Sequence, residues 1–96
     1  MTSYKVKYSK EFKKSLKKVI KQGKDIDKLL DVVNLLSKKE DLDPKYRDHS
    51  LLNDKRFKNC RDCHIEPDWL LIYKYLDDEI ILLLVNTGSH SEVLNK

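Results

Sequence analysis

Residues 69–86 read WLLIYKYLDDEIILLLVN, two apolar runs parted by Asp77-Asp78-Glu79. Both runs are rich in the aliphatic and aromatic side chains that strands favour, and a three-residue acidic link leaves room only for a hairpin. Moving upstream, Glu66-Pro67-Asp68 is a second turn of the same kind, and residues 56–65 supply a third strand before it. Downstream, Gly88 breaks the strand, and the tail through Val93 and Leu94 reads as a closing helical turn.

The N-terminal part has a different period. Tyr4-Lys5-Val6-Lys7-Tyr8 alternates and predicts a short strand. Ser9 then caps a helix whose apolar stripe is Phe12, Leu16, Val19 and Ile20 and which Gly23 ends. Lys10, Lys14, Lys17 and Lys21 form a second stripe off that apolar face. Asp25 opens another helix with Ile26, Leu29, Leu30, Val33 and Leu36 at helical spacing. Two amphipathic helices on a short link make an α-hairpin, and each stripe needs cover. Residues 38–54, KKEDLDPKYRDHSLLND, keep neither period and form a long polar connection. The expected fold class is α+β, an N-terminal α-hairpin packed on a small antiparallel β-sheet.

At 96 residues and 11.4 kDa the chain has room for one domain, residues 1–96. With 38% charged and 40% hydrophobic residues it is polar, yet too apolar for a disordered tail. No apolar run approaches the roughly 20 residues that span a bilayer, and the start lacks the apolar core of a secretory signal. Two cysteines make no disulfide framework, so a cytoplasmic protein with reduced thiols is expected. Charge is unevenly placed: residues 1–24 hold nine lysines against one acid, whereas residues 25–96 hold eleven basic and fifteen acidic side chains. Such a basic segment suits a polyanion, most commonly nucleic acid; the alternative is a solvated lysine face.

Hairpin arithmetic brings the chemistry together. If Leu76 faces Ile80 across the last turn, Trp69 lies opposite Thr87, Leu70 opposite Asn86 and Asp68 opposite Gly88. If Ile65 faces Trp69 across the earlier turn, His64 sits beside Leu70. His64, Asp68, Trp69, Asn86 and the start of the His90 tail then gather at one end of the sheet. Imidazoles titrate near neutrality and share general-base and general-acid work, while a carboxylate orients them or takes a proton itself. Trp69 offers a face for a stacked base. RNA carries its own nucleophile, the 2′-hydroxyl, beside the 3′ phosphate, so proximity needs no metal. The plainer alternative is three unrelated histidines.

Three segments carry a resemblance: Pro44-Lys45-Tyr46-Arg47-Asp48-His49-Ser50-Leu51, Cys63-His64-Ile65-Glu66-Pro67-Asp68-Trp69-Leu70-Leu71-Ile72-Tyr73, and Thr87-Gly88-Ser89-His90-Ser91. In order and spacing they resemble the YafQ branch of the RelE/ParE toxin superfamily, and the resemblance covers nearly the whole chain. It implies the toxin of a type II toxin–antitoxin system. Such toxins are ribosome-dependent mRNA endonucleases that inhibit translation, cut through the 2′-hydroxyl and are sequestered by a cognate antitoxin. It implies no cofactor and no metal, and partners limited to antitoxin, ribosome and mRNA, with no membrane. By position, His49, His64, Asp68 and His90 correspond to the catalytic cluster, and they include every histidine of the chain. His90 is expected as general acid, Asp68 or His49 as base, and His64 on the scissile phosphate. Trp69, Asn86, Arg61, Lys10, Lys14 and Lys17 are the expected substrate contacts.

The chain departs from the branch at three places. Asn86 stands where arginine is usual, Asn53-Asp54 replace an expected glycine, and Val93-Leu94 replace an aromatic near the C-terminus. Losing a cation beside the phosphate costs transition-state stabilisation, which Arg61, Arg56 or the lysine stripe would have to supply. Cys60-Arg61-Asp62-Cys63-His64 also matches a haem-attachment pattern and offers ligands for zinc. A straight strand, however, points Cys63 away from Cys60 and His64. Two further rivals are a same-fold toxin acting on DNA gyrase and a non-catalytic RNA- or ribosome-binding module, neither of which needs the histidines.

Overall fold

A computed structural model describes residues 3–51 and 55–94. In chain order the elements are strand β1 (Lys5–Tyr8), helices α1 (Lys10–Lys21) and α2 (Ile26–Ser37), strands β2 (His49–Ser50), β3 (Arg61–Glu66), β4 (Trp69–Leu76) and β5 (Ile81–Gly88), and helix α3 (His90–Leu94). The strands form one five-stranded sheet in the order β1-β5-β4-β3-β2. The expected meander is present in β3, β4 and β5, but the sheet is mixed, because β1 runs parallel to β5. A parallel neighbour requires a crossover, and the α-hairpin lies within that connection. No helix among the described residues is long and apolar enough to cross a membrane.

Local chemistry sets the boundaries of α1. Ser9 Oγ accepts from Phe12 N at 2.9 Å and donates to Val85 O at 2.6 Å, so the cap also ties the helix to β5. Gly23 follows the helix with φ +79°. Phe12 and Val19 are buried as their spacing predicts, whereas Ile20 is 53% exposed. Likewise Leu29 and Leu36 of α2 are buried with Val32, while Leu30 is 56% exposed. Apolar side chains at adjacent helix positions are about 100° apart, and the sheet covers only one of each pair.

Two apolar layers flank the sheet. Under the helices, Leu29, Val32 and Leu36 meet Cys63, Ile65, Trp69, Leu71, Tyr73, Leu82 and Leu84. On the other face, Phe57, Cys60, Ile72 and Val93 form a smaller cluster with Leu51, Val85 and Leu94.

Register differs from expectation in an instructive way. Ile80 adopts a left-handed conformation with φ +54° and joins the loop, so Leu76 pairs with Ile81 rather than Ile80. A further irregularity between Ile72 and Tyr73 passes Val85 without a partner, and Leu70 pairs with Gly88. The total shift of two residues at the site end leaves the faces as expected there. At the other hairpin, His64 does pair with Leu70, but a bulge places Glu66, not Ile65, opposite Trp69. The third strand starts at Arg61, since residues 55–57 form a 3-10 turn, and the polar connection contributes the two-residue edge strand β2. The Asn53-Asp54 departure lies outside the described residues.

Candidate active site

Alternation along β3 sends Cys63 and Ile65 under the helices and Asp62 and His64 to the opposite face. Asp62 is 2% exposed and His64 9%. Directly across the β2–β3 ladder from Asp62 stands His49. Its Nε2 is 3.8 Å from Asp62 Oδ2, and His64 Nε2 is 3.8 Å from Asp62 Oδ1. Asp62 is thus a buried carboxylate wedged between two imidazoles. Burial pushes its pKa up, and His49, His64 and His90 pull against that shift. Asp62 Oδ1 and His64 Nδ1 are buried without a hydrogen-bond partner. Sequence reasoning missed Asp62, although it sits two residues before His64 on a predicted strand and so shares its face.

His90 enters from α3. Its Nδ1 lies 2.8 Å from Asp68 Oδ1, which also accepts the His90 backbone N–H at 3.0 Å. These two bonds hold the Asp68 carboxyl below its usual range, the backbone bond being the larger cause. With Nδ1–H engaged by the carboxylate, Nε2 is the His90 ring nitrogen not held by Asp68. The His64 and His90 rings meet edge-to-face at 5.1 Å. On the other flank, His49 Nδ1 lies 2.8 Å from the Arg47 carbonyl, so it donates and leaves Nε2 with the lone pair. The structure therefore brings His49, His64, Asp68 and His90 to one end of the sheet and adds Asp62 at their centre.

A capping box fixes α3. Ser89 N donates to Glu92 Oε1 at 3.0 Å, and Glu92 N donates to Ser89 Oγ at 3.2 Å. The Lys18 ammonium also reaches Glu92 at 3.0 Å. Together these hold the Glu92 carboxyl down to about 2, the Ser89 backbone bond leading. Gly88, at φ +150°, makes the entry possible: a Cβ there would lie 3.2 Å from Val93 Cγ2 and 3.3 Å from Glu92 Oε1. The Ser-x-x-Glu pattern was readable in the sequence. Glu92→Ala is expected to cost about 1 kcal/mol of stability and to slow any His90-dependent reaction. Because the folded-state pKa is depressed, the Glu92 contribution is complete above the ordinary 4.5 and is lost as pH falls through about 2. Acid titration of thermal melts for wild type and variant checks both, and melts that converge only at low pH are the expected result.

Several expected substrate contacts have other employment. Trp69 is 0% exposed under the helices, with Nε1 donating to Thr87 Oγ1 at 2.9 Å and the Lys24 ammonium 5.9 Å from the ring. It has no face open for a base: Trp69, Leu71 and Tyr73 alternate onto the helix side of β4, and periodicity alone does not tell which side the helices cover. Arg61 forks onto Asp48 (Nε–Oδ1 3.3 Å, Nη2–Oδ2 3.1 Å) and reaches Ser50 Oγ at 2.9 Å. Tyr73 OH also donates to Asp48. Arg61 is therefore a strut for the segment carrying His49, and Arg56 is held to the Leu94 carbonyl at 3.1 Å. Asn86 Oδ1 accepts from Ser15 Oγ at 2.5 Å and from Thr87 N at 2.9 Å. Lys10, Lys14 and Lys17 are exposed along α1. The two cysteines are free, lie in different apolar layers, and have thiol pKa values raised by burial. Among the described residues no group of three or more His, Cys, Asp or Glu is arranged to hold a metal ion.

Comparison with known proteins decides the family. The family described as "Bacterial toxin of type II toxin-antitoxin system, YafQ" matches residues 4–95. The chain belongs to the YafQ toxin family. A relative from Escherichia coli strain B / BL21-DE3, mRNA interferase toxin YafQ, is 39% identical over 87 residues, covering 90% of each chain. A metal-bound toxin from Helicobacter pylori superposes with a TM-score of 0.86 at 42% identity, covering 94% of this chain and 98% of that one. The toxin chain matched in the E. coli DinJ-YafQ toxin-antitoxin complex gives a TM-score of 0.83 at 36% identity, with 95% and 97% covered. Within this YafQ-family chain, two departures acquire a structural setting. Val93 is buried against Phe57, Cys60 and Ile72, so it packs α3 onto the sheet by aliphatic contact. Asn86 spends its carbonyl on α1 and the strand.

Proposed function

We propose that this protein is a ribosome-dependent, metal-independent mRNA endoribonuclease that inhibits translation in the cytoplasm and is held in check by a cognate antitoxin. The observation that carries the reading is the convergence of His49, His64 and His90 around Asp62, with Asp68 fixing His90. The E. coli relative named as an mRNA interferase supports the activity, and the DinJ-YafQ complex supports an antitoxin partner.

The chemistry balances without an outside nucleophile. His49 Nε2 takes the proton from the 2′-hydroxyl, the 2′ oxygen bonds to the adjacent phosphorus, and the bond from phosphorus to the 5′ oxygen breaks. His90, with Nδ1–H on Asp68, gives its Nε2 proton to that leaving oxygen. The products are a 2′,3′-cyclic phosphate and a 5′-hydroxyl. His64 donates to a phosphoryl oxygen between them, and Asp62 Oδ2, 3.8 Å from His49 Nε2, faces the positive charge that forms at His49. Asp68 is the less suited base, since Oδ1 already accepts twice from His90.

Primer extension on a reporter mRNA, with and without its start codon, tests this reading in cells expressing the protein. New cleavages confined to the translated reporter are expected. Growth arrest without cleavage would transfer the activity to another target, DNA gyrase first among them, and equal cleavage of both reporters would remove the ribosome from the reaction.

The exposed lysines have a role under the same reading. Held against rRNA phosphates, they would give salt-sensitive and sequence-independent affinity. Charge reversal at Lys10, Lys14 and Lys17 is expected to weaken ribosome binding at low salt by about tenfold or more. Co-sedimentation across a salt series measures it, and an unchanged binding curve returns the stripe to a solvated face.

A further inference from the structure

Beside the histidine cluster lies a groove of about 490 Å³ that the proposed chemistry leaves unused. One wall is Lys45, Tyr46 and Arg47, and the other includes Ile65 and Glu66; Lys28 and Asp31 of α2 border it, and His64 lines it as well. We propose that this groove is a subsite for a nucleotide flanking the scissile phosphate, with Tyr46 receiving the base and Lys45 and Arg47 the phosphate. The proposal rests on the endoribonuclease reading above.

Continuity and charge both support that occupant. His64 lines the groove and belongs to the cluster, but its imidazole and the groove's Ile65 and α2 border lie on opposite faces of β3. A strand with its phosphate at His64 therefore reaches the groove around the edge of β3 beyond Asp62, where β2 pairing ends. Tyr46 is half-buried against the helix-side core, which makes it a fixed aromatic wall, and the Lys45 ammonium lies 5.2 Å from its ring centre. The groove's carboxylates do not cancel its cations: Glu66 is paired with Lys28 at 2.8 Å, leaving Lys45 and Arg47 against Asp31. The exposed Arg47 side chain stands on a left-handed backbone, φ +50°, whose carbonyl accepts from His49 Nδ1. A non-glycine residue in that conformation is costly and is retained where the surroundings over-determine it. The same turn therefore aims His49 and supplies the groove's guanidinium, coupling subsite occupancy to placement of the base.

The test is a titration of ¹⁵N-labelled protein with a fully 2′-O-methylated RNA tetranucleotide, which binds but lacks the nucleophile. Amide shifts at Tyr46, Arg47, Glu66 and His90 are expected together, and a Lys45→Gln, Arg47→Gln double variant is expected to bind about tenfold more weakly. Shifts restricted to His49, His64 and His90, or an unchanged affinity in the double variant, would overturn the subsite. Arg47→Lys separates charge from backbone: recovery of affinity assigns the effect to the cation, and no recovery assigns it to the His49 turn and also overturns the subsite. Cleavage of a translated reporter by wild type is scored independently. Cleavage that is normal in both wild type and double variant removes the groove and spares the nuclease reading, whereas an inactive wild type removes the nuclease reading itself.

Discussion

His90→Ala is expected to slow RNA cleavage by about 10²–10⁴-fold, the range for removing one general acid. The departing 5′ oxygen is a poor leaving group unless a proton reaches it in the transition state. Among the described residues, His90 combines a half-exposed ring with a second nitrogen fixed by a carboxylate, Nδ1 on Asp68 at 2.8 Å. Truncation removes the ring but keeps the backbone N–H on Asp68 Oδ1, so α3 should stay in place. Single-turnover cleavage on programmed ribosomes is the measurement, with thermal melts to show the fold intact. Asp68→Asn should lose less, because the imidazole persists while its orientation loosens. A His90→Ala variant that cuts at the wild-type rate would take the acid role away from His90.

Trp69→Ala is expected to cost about 3–5 kcal/mol of stability, the range for emptying a buried aromatic site. Against a typical total of about 5–15 kcal/mol, that leaves the variant marginal or unfolded at growth temperature. The ring is fully covered by the helix-side layer, and its loss also removes the Nε1 bond to Thr87 at the strand end carrying α3. Trp69→Phe should cost far less, about 1 kcal/mol for the hydrogen bond plus a small void, and should keep the cleavage rate of the folded fraction. A Trp69 that served as a stacking platform would behave in the opposite way, with an unchanged melting curve and weakened RNA binding.

Those two residues show how far a linear reading reaches. His90 was legible because turn lengths and alternation carry a strand end to a definite place, and a two-residue error in register returned the same faces. Trp69 was misread because alternation tells that neighbouring side chains point to opposite sides but not which side the helices cover. Arg61 shows a related limit: its brace onto Asp48, a carboxylate that Tyr73 shares, is visible only once those side chains are seen beside it. The opposite error hid Asp62. A carboxylate within a strand looks solvated, and its burial between His49 and His64 emerged only when β2 paired at the sheet edge.

The sequence by itself determined the α+β class, the two capped helices, the three-strand meander and the end of the sheet where the histidines collect. All of these depend on local periodicity, turn chemistry and chain geometry, which act over a few residues. Only the tertiary structure decided that β1 lies parallel to β5, which core each strand face serves, that Asp62 is buried at the centre of the cluster, and that Arg47 turns left-handed to hold His49. Those facts depend on contacts between segments far apart in the chain. Burial there changes what a carboxylate or a cation can do.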